Sequence, residues 1–188
     1  MKKVYLDNAS TTAMRPEVIQ VMVDCMAQDY GNPSSTHSLG RHAKSILELS
    51  RKSIAKALNA TAQEILFTSG GTEANNWILR SAVKDLKVRR IISSKMEHHA
   101  VLYPILELQK EFDIQVEYVE NSADGVLDLT HLVDLLSEST EKTLVSLMHV
   151  NNETGVVLDL ERVSQICQEH HALFHSDTVQ TMAHMSLD

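Results

Sequence analysis

The sequence predicts an α/β protein with a mostly parallel sheet and helices on both faces. Short apolar segments rich in β-branched and aliphatic residues alternate with longer segments whose apolar residues recur at helical spacing. This alternation is typical of βαβ units, which place successive strands parallel to one another. Most of the apolar segments show little polar alternation, as expected for strands that helices cover on both sides.

The elements follow from these two periodicities. Five segments are predicted to form strands: 64–68, 90–93, 114–119, 143–148 and 172–175. Six segments are predicted to form helices: 16–28, 38–58, 72–84, 97–111, 129–137 and 159–169. Pro16 suits the first turn of its helix. Asp128 or Thr130 would cap the helix at 129–137, and Asp159 would cap the one at 159–169.

Composition excludes several classes of function. The chain has 188 residues, 43% of them hydrophobic, and a net charge of −8. That charge argues against a general nucleic-acid or anionic-membrane binder, because phosphates would repel it. There is no transmembrane-length apolar run and no signal-peptide pattern. Cys25 and Cys167 cannot form a disulfide framework, and we expect both to be buried as small hydrophobes in a reduced, cytoplasmic protein.

Polar residues collect directly after four predicted strands. In an open parallel sheet, ligands bind beyond the carboxyl ends of the strands. The sequence therefore predicts one shared site at that edge rather than scattered surface chemistry. The segments concerned are 69–73, 97–99, 149–155 and 176–180.

The segment Thr68-Ser69-Gly70-Gly71-Thr72 has two interpretations. The glycines permit close backbone approach, and the free N–H groups of the following helix favour an anion, so it would seat a phosphate with help from the hydroxyls of Ser69 and Thr72. It is neither G-x-G-x-x-G nor a Walker loop. An ordinary strand-to-helix turn with Thr as a cap explains the segment equally well.

Asp177 follows the predicted strand at 172–175, so its carboxylate would lie at the edge of the core. A poorly solvated carboxylate needs a cationic or hydrogen-bonding partner. The protonated ring nitrogen of a cofactor would serve, and would make that ring an electron sink. A turn or helix-cap role accounts for this residue as well.

Ten histidines raise the possibility of a metal site, but their spacing does not support one. There is no H-E-x-x-H motif and no Cys pair, and adjacent histidines on a helix point in different directions. His170 and His171 suit a helix C-terminus. His98, at a predicted strand end, could stack on an aromatic cofactor instead.

Six motifs taken in order resemble those of the cysteine desulfurases, pyridoxal-phosphate enzymes of the class V aminotransferase group. The resemblance covers nearly the whole chain, and six motifs in order are far more specific than any one of them. The motifs are Tyr5-Leu6-Asp7-Asn8-Ala9-Ser10-Thr11-Thr12, Gly31-Asn32-Pro33-Ser34-Ser35 with His37 and Gly40, Phe67 to Asn76, Glu97-His98-His99-Ala100-Val101, Met148 to Gly155, and His175-Ser176-Asp177-Thr178-Val179-Gln180.

The resemblance implies a role for each candidate residue and pyridoxal 5′-phosphate as cofactor. Gly71 and Thr72 would bind its phosphate, and His98 would stack on the ring and assist proton transfer as the catalytic residue. Asp177 would pair with the ring nitrogen. The ring hydroxyl would be approached by Asn152 and Gln180.

The reaction implied by the resemblance converts L-cysteine to L-alanine and leaves the sulfur as an enzyme-bound persulfide. The partners implied are a sulfur acceptor or an iron–sulfur scaffold protein, for cluster assembly or tRNA thiolation, and a second copy of the chain in a homodimer. The spacing around Gly31 is more similar to the housekeeping iron–sulfur branch than to the selenocysteine lyases.

Compared with this family, the chain corresponds to an N-terminal portion. Residues 1–15 would belong to the small domain and residues 16–188 to the first part of the large cofactor-binding domain. The Schiff-base lysine, the persulfide cysteine and the substrate-binding arginine of the family have no counterpart in the sequence. We therefore expect the chain alone to be inactive, and to be complemented by another chain or to be part of a longer product.

Other functions remain open at this stage. Another class V enzyme, such as a selenocysteine lyase or an aminotransferase, would share the same cofactor site. A noncatalytic fragment would retain phosphate affinity or dimer contacts. Sulfide release from cysteine, borohydride trapping of a lysine adduct and zinc analysis distinguish these functions from one another and from a metal-dependent hydrolase.

Overall fold

The computed structural model describes residues 3–185. Their backbone contacts divide them into two compact units, residues 3–67 and residues 68–185. The division predicted after residue 15 stays a prediction. Within residues 3–185, no helix combines the length and the apolar character that a membrane crossing requires.

The first unit contains two helices, α1 (Pro16–Gln28) and α2 (Ser38–Ala57), and a short 3-10 turn at Ala62–Glu64. Pro16 begins α1 as predicted. No residue of α1 is buried, and Cys25 is exposed, so the prediction that this cysteine is buried was wrong. The apolar side chains of α1 do not pack into a core of the described residues, and Cys25 shares their exposure.

Two glycines of the first unit allow backbone segments to approach closely. A Cβ atom on Gly31 would lie 2.4 Å from the carbonyl oxygen of Leu39, and one on Gly40 would lie 2.4 Å from that of Ser35. Such contacts are too short for any other residue. His37 caps α2 by accepting a 3.4 Å hydrogen bond from the N–H of Gly40. The motif around Gly31 therefore has a structural role in the turn before α2.

The predicted strand at 64–68 does not form. Glu64 ends the 3-10 turn, where its carboxylate accepts hydrogen bonds from the backbone N–H and the hydroxyl of Thr61. The carbonyl of Ile65 accepts from the guanidinium of Arg51, which lies 4.7 Å from the ring centroid of Phe67. Apolar character alone does not make a strand, and within residues 3–185 no neighbouring strand supplies this segment with ladder hydrogen bonds.

The second unit contains a four-stranded parallel sheet, which confirms the predicted fold class. The order across the sheet is β2-β1-β3-β4. Ile91 of β1 is aligned with Val116 of β2 and Leu144 of β3, and Val145 of β3 is aligned with Phe174 of β4. Four of the predicted strands are thereby confirmed, one with the predicted bounds and three with slightly shorter ones. They are β1 (Arg90–Ser93), β2 (Gln115–Tyr118), β3 (Thr143–Ser146) and β4 (Leu173–His175).

Three of the four helices of this unit connect these strands, and the other, α3 (Gly71–Lys84), precedes β1. The connecting helices are α4 (His99–Phe112), α5 (Leu129–Ser137) and α6 (Leu160–Glu169). Asp128 caps α5 by accepting from the N–H groups of Thr130 and His131, and Asp159 caps α6 by accepting from that of Arg162. The structure thus selects Asp128 rather than Thr130 as the α5 cap.

Two apolar cores lie on opposite faces of the sheet, because successive side chains of a strand point in opposite directions. Ile91 packs with α3 and α4, whereas Ile92 packs with α5 and α6. Cys167 belongs to the second core and is 1% exposed, as predicted for this cysteine. The buried members are Leu79, Ala82, Val83, Val88, Ile91, Val101, Ile105, Leu108, Ile114 and Leu144 in the first core, and Ile92, Val119, Leu132, Leu135, Leu136, Val145, Leu147, Val163, Ile166 and Cys167 in the second.

The strand order reverses between β1 and β3. The chain proceeds from β1 outward to β2, then returns to the other side of β1 to form β3 and β4. In open parallel sheets such a reversal separates the loops at the carboxyl ends and creates a crevice for ligands. The loops after β1 and β3 border this crevice, and the loop after β4 is joined to the loop after β3 by a hydrogen bond from the N–H of His149 to the carbonyl of Asp177.

Candidate functional site

The N-terminus of α3 is the first component of the site. The helix begins at Gly71, and the first N–H groups of a helix have no partner within it. Thr72 is exposed on this first turn. The turn therefore presents the first N–H groups of a helix beside a hydroxyl, and its role as an anion site stays a prediction.

Ser69 and Glu73 brace the loop that enters α3. The carboxylate of Glu73 accepts from the backbone N–H of Ser69 at 2.6 Å and from its hydroxyl at 2.7 Å. The side-chain and backbone hydrogen bonds from Ser69 both lower the pKa of Glu73. The Ser69 hydroxyl, which we expected to donate to a phosphate, donates to Glu73 instead.

Asp177 lies just beyond β4 and is only 8% exposed, at the edge of the core as predicted. One carboxylate oxygen accepts a 2.7 Å hydrogen bond from the side-chain amide of Asn75, and the other accepts at 3.0 Å from the backbone N–H of Val179. The backbone carbonyl of Asp177 accepts from the N–H of His149 at 3.0 Å, which extends the pairing of β3 with β4. Both carboxylate oxygens of Asp177 thus accept hydrogen bonds at the edge of the sheet.

The start of α3 and the loop after β4 lie against each other. Asn75, which binds Asp177, stands one turn after Gly71 in α3. A Cβ atom on Gly71 would lie 2.6 Å from Cγ2 of Val179, whereas one on Gly70 would meet no atom within 4 Å. Residues 71 and 177, far apart in the sequence, are therefore brought together in one site.

His98 lies at the N-terminus of α4. Its Nδ1 accepts a 3.1 Å hydrogen bond from the backbone N–H of Ala100, so the neutral ring carries its proton on Nε2. The ring is exposed, and it borders an open cavity of about 300 Å³ that Thr72 also lines. The next residue, His99, stacks on Tyr103 with ring centroids 4.8 Å apart. His98 and Thr72 thus face the same opening.

Asn152 and Gln180 lie on the loops after β3 and β4, and both are half-buried. The side-chain amide of Asn152 donates a 2.7 Å hydrogen bond to the carboxylate of Glu153. Gln180 precedes the buried Thr181, whose hydroxyl lies 2.9 Å from Nδ1 of His149. Asn152 lies on a loop that borders the crevice, Gln180 lies on the adjacent loop, and their roles toward a ligand stay predictions.

Burial shifts the pKa values of three groups in and beside these loops. It lowers the pKa of His149 and of His175, although nearby Asp177 partly opposes the effect on His175. His175 is held by a 2.9 Å contact between its Nδ1 and the hydroxyl of Ser146. Burial also raises the pKa of Glu97 to about 8, where Asp177 adds to the effect and a backbone hydrogen bond opposes it.

Sequence reasoning assigned no individual role to Asn75, Glu97 or Asn151. Asn75 could have been found as a polar residue on the face of α3 that otherwise buries Leu79 and Ala82. Glu97 and Asn151 are quoted within motifs, but their burial and their mutual position arise from the fold. Within residues 3–185, no group of three or more His, Cys, Asp or Glu side chains could hold a metal ion.

Comparison with known proteins places the whole chain in one family. A family model described as aminotransferase class-V matches residues 4–188. The chain belongs to this family. Its curated relatives include cysteine desulfurase IscS of Dictyoglomus turgidum, 40% identical, and that of Methanosarcina thermophila, 37% identical, each over 100% of this chain. The chain spans about half the length of these relatives, 47% and 46% respectively.

Solved structures agree with this assignment. A NifS-like protein shares the fold with a TM-score of 0.93 at 34% identity, over 100% of this chain and 52% of its own. An apo cysteine desulfurase from Thermococcus onnurineus has a TM-score of 0.89 at 27% identity, over 98% of this chain and 46% of its own. The α/β arrangement described above is thus the one found in these proteins.

Proposed function

We propose that this chain forms the cofactor-binding part of a pyridoxal-phosphate-dependent cysteine desulfurase. Family membership and the desulfurases among its relatives support the reaction class. The observation that carries the proposal is the 2.7 Å hydrogen bond from Asn75 to Asp177, because it joins the anion-binding turn of α3 to the acid beyond β4.

The residues at the start of α3 fit the phosphate group. Gly70 has open space where a side chain would stand, and the backbone N–H groups of Gly71 and Thr72 begin a helix whose dipole favours a negative charge. The Thr72 hydroxyl is exposed and available as a further donor. Gly71 and Thr72 would hold the phosphate.

The carboxylate of Asp177 and the imidazole of His98 fit a pyridine ring. Asp177 is positioned by two donors and would pair with the protonated ring nitrogen. His98 would stack on the ring and hold a proton at Nε2, while Asn152 and Gln180 would approach the ring hydroxyl. When bound, the cofactor supplies an electron sink for bonds at the α-carbon of the substrate.

The complete activity extends the proposal beyond these residues. L-cysteine would be the substrate, alanine the product, and the sulfur would pass as a persulfide to an acceptor or iron–sulfur scaffold protein. We propose that the Schiff-base lysine, the persulfide cysteine and the substrate-binding arginine are supplied by the part of the family fold that residues 1–188 do not include. The enzyme would be a cytoplasmic homodimer whose large domain begins after residue 15.

Calorimetric titration with pyridoxal phosphate tests the proposal. Asp177→Asn should weaken binding roughly 10- to 100-fold, the value of one charge-assisted hydrogen bond. The matched control is Asp124→Asn, the same change on an exposed loop, and it should bind as the unaltered protein does. Equal affinity in Asp177→Asn and the unaltered protein would contradict the proposal. In the enzyme that contains the remaining family segments, sulfide release from cysteine separates a desulfurase from an aminotransferase.

A further inference from the structure

Glu97 is a buried acid that the proposed mechanism leaves without a role. It is 5% exposed and stands directly before His98, in the loop between β1 and α4. Its Oε1 accepts a 2.7 Å hydrogen bond from the backbone N–H of Met148, two residues after β3. The side chain therefore connects the loops on the two sides of the crevice.

A second hydrogen bond strengthens the same connection. The side-chain amide of Asn151 donates to the backbone carbonyl of Met96 at 2.7 Å. The carbonyl oxygen of that amide accepts from the backbone N–H groups of Glu153 and Thr154, both at 2.9 Å, which shapes the turn that carries Asn152. Glu97 and Asn151 thus fix the loops that bear His98 and Asn152.

The other carboxyl oxygen of Glu97 differs from the oxygens of Asp177. It is buried, and no group among residues 3–185 forms a hydrogen bond with it. Glu97 lines a cavity of about 160 Å³ with largely apolar walls that include Val126, Leu129 and Val156. A carboxylate in such surroundings takes up a proton, and water in a cavity of this size could accept the hydrogen bond of the resulting acid.

The charge of Asp177 acts in the same direction, because it raises the pKa of Glu97. Asp159 lines the same cavity, and its carboxylate accepts a hydrogen bond from the backbone N–H of Arg162. His98 and His149 stand next to the two residues of the Glu97–Met148 hydrogen bond. Asp177 has a donor for each oxygen, whereas Glu97 has one donor in total, so burial favours the protonated form of Glu97.

We propose that Glu97 is a positioning residue which, as a neutral carboxylic acid, fastens the loop of His98 to the end of β3. The positioning role rests on the proposed function, because it concerns the loops of the cofactor site. The neutral state of Glu97 is a property of the protein without cofactor, so it can be tested even if the proposed function fails.

The first test follows thermal unfolding between pH 4 and pH 9 without cofactor, in the unaltered protein, in Glu97→Gln and in Glu169→Gln. An acid that holds its proton more tightly when folded makes the folded state lose stability as pH rises from the ordinary value of 4.5 to about 8. Glu97→Gln keeps the acceptor for Met148 without a titrating group. It should match the unaltered protein near pH 4 and exceed its melting temperature above pH 8.

Glu169→Gln removes a carboxyl from an exposed position at the end of α6 and should follow the unaltered protein at every pH. Parallel curves of melting temperature against pH for Glu97→Gln and the unaltered protein would contradict the proposal that Glu97 is neutral.

The second test measures positioning. Amide hydrogen exchange at Met148 should accelerate at least tenfold in Glu97→Ala and remain unchanged in Glu97→Gln. Pyridoxal-phosphate affinity at pH 7 should fall in Glu97→Ala and stay within about twofold in Glu97→Gln. Equal loss of affinity in both variants would overturn the positioning role. If the unaltered protein does not bind the cofactor at all, the proposed function fails, while the pH curves still decide the protonation of Glu97.

Discussion

The side-chain amide of Asn75 donates a 2.7 Å hydrogen bond to the carboxylate of Asp177, and both side chains are buried. The two residues are 102 positions apart in the sequence. Asn75 lies in the helix whose first turn would bind a phosphate, and Asp177 lies beyond the last strand. This hydrogen bond sets the position of the Asp177 carboxylate relative to the start of α3. It therefore limits the size of a ligand that could contact both groups.

Removing the donor of this bond should destabilise the protein. Asn75→Leu leaves a buried carboxylate with one hydrogen bond fewer, which costs about 1–3 kcal/mol in the free energy of unfolding. Asn76→Leu removes an exposed amide that donates to the carbonyl of Thr72, and should cost about 0.5 kcal/mol or less. Urea denaturation of both variants measures the difference. Equal losses would show that the Asn75–Asp177 bond contributes no more than a surface contact.

Gly71 should be needed for its lack of a side chain. In Gly71→Ala the new Cβ would lie 2.6 Å from Cγ2 of Val179, so the loop after β4 must shift and pyridoxal-phosphate affinity should fall. The double variant Gly71→Ala with Val179→Ala removes the clash and should recover most of the affinity.

Gly70→Ala is the control for this series, because Gly70 has extended backbone and no atom within 4 Å of an added Cβ. Its free energy of unfolding should match that of the unaltered protein, whereas Gly71→Ala should be destabilised by the contact with Val179. A larger loss of stability in Gly70→Ala than in Gly71→Ala would refute the account of the turn.

The two cysteines should differ sharply in reactivity. Cys25 is exposed, whereas Cys167 is buried and burial raises its pKa to about 11. Because the thiolate is the reactive form, a disulfide reagent at pH 8 should modify Cys25 rapidly and Cys167 only after denaturant is added. Cys25→Ser should abolish the rapid phase. Rapid modification of both thiols in the native protein would show that the α6 core is open.

The ion pair at the other end of the sheet should contribute more to stability than a surface pair. Arg90 is 1% exposed and its guanidinium contacts the carboxylate of Glu117. Glu117→Gln weakens the partner of a buried charge and should cost roughly 3 kcal/mol. Glu107→Gln, which weakens the exposed 2.7 Å pair of Glu107 with Arg80, should cost less than about 1 kcal/mol. Chemical denaturation compares the two, and similar values would contradict the burial argument.

Much of the second unit could be predicted from the sequence because its signals are local. The β-branched runs at β1 and β3 and the aspartates that cap α5 and α6 depend on neighbouring residues only. The strand predicted at 64–68 failed because a strand needs a partner, and apolar composition does not supply one. Cys25 was misjudged for a related reason, since amphipathic spacing does not show whether a face is covered.

The site was predictable as a set of loops but not as a set of contacts. Polar residues after β1 and β4 indicated the loops that carry His98 and Asp177, whereas Thr72 follows a predicted strand that does not form. The support of Asp177 by Asn75 and the buried position of Glu97 beside Met148 depend on long-range packing, which no local pattern encodes. The displacement of the Ser69 hydroxyl toward Glu73 likewise required the geometry of the turn.

The most direct test of the central claim observes the ring nitrogen of bound pyridoxal phosphate by ¹⁵N NMR as pH is raised. If Asp177 pairs with that nitrogen, the ring nitrogen should stay protonated to a higher pH in the protein than in free solution. In Asp177→Asn the ring nitrogen should lose its proton at a lower pH than in the unaltered protein. In Asp124→Asn it should titrate as in the unaltered protein. A ring nitrogen that titrates identically with and without the Asp177 carboxylate would contradict the account.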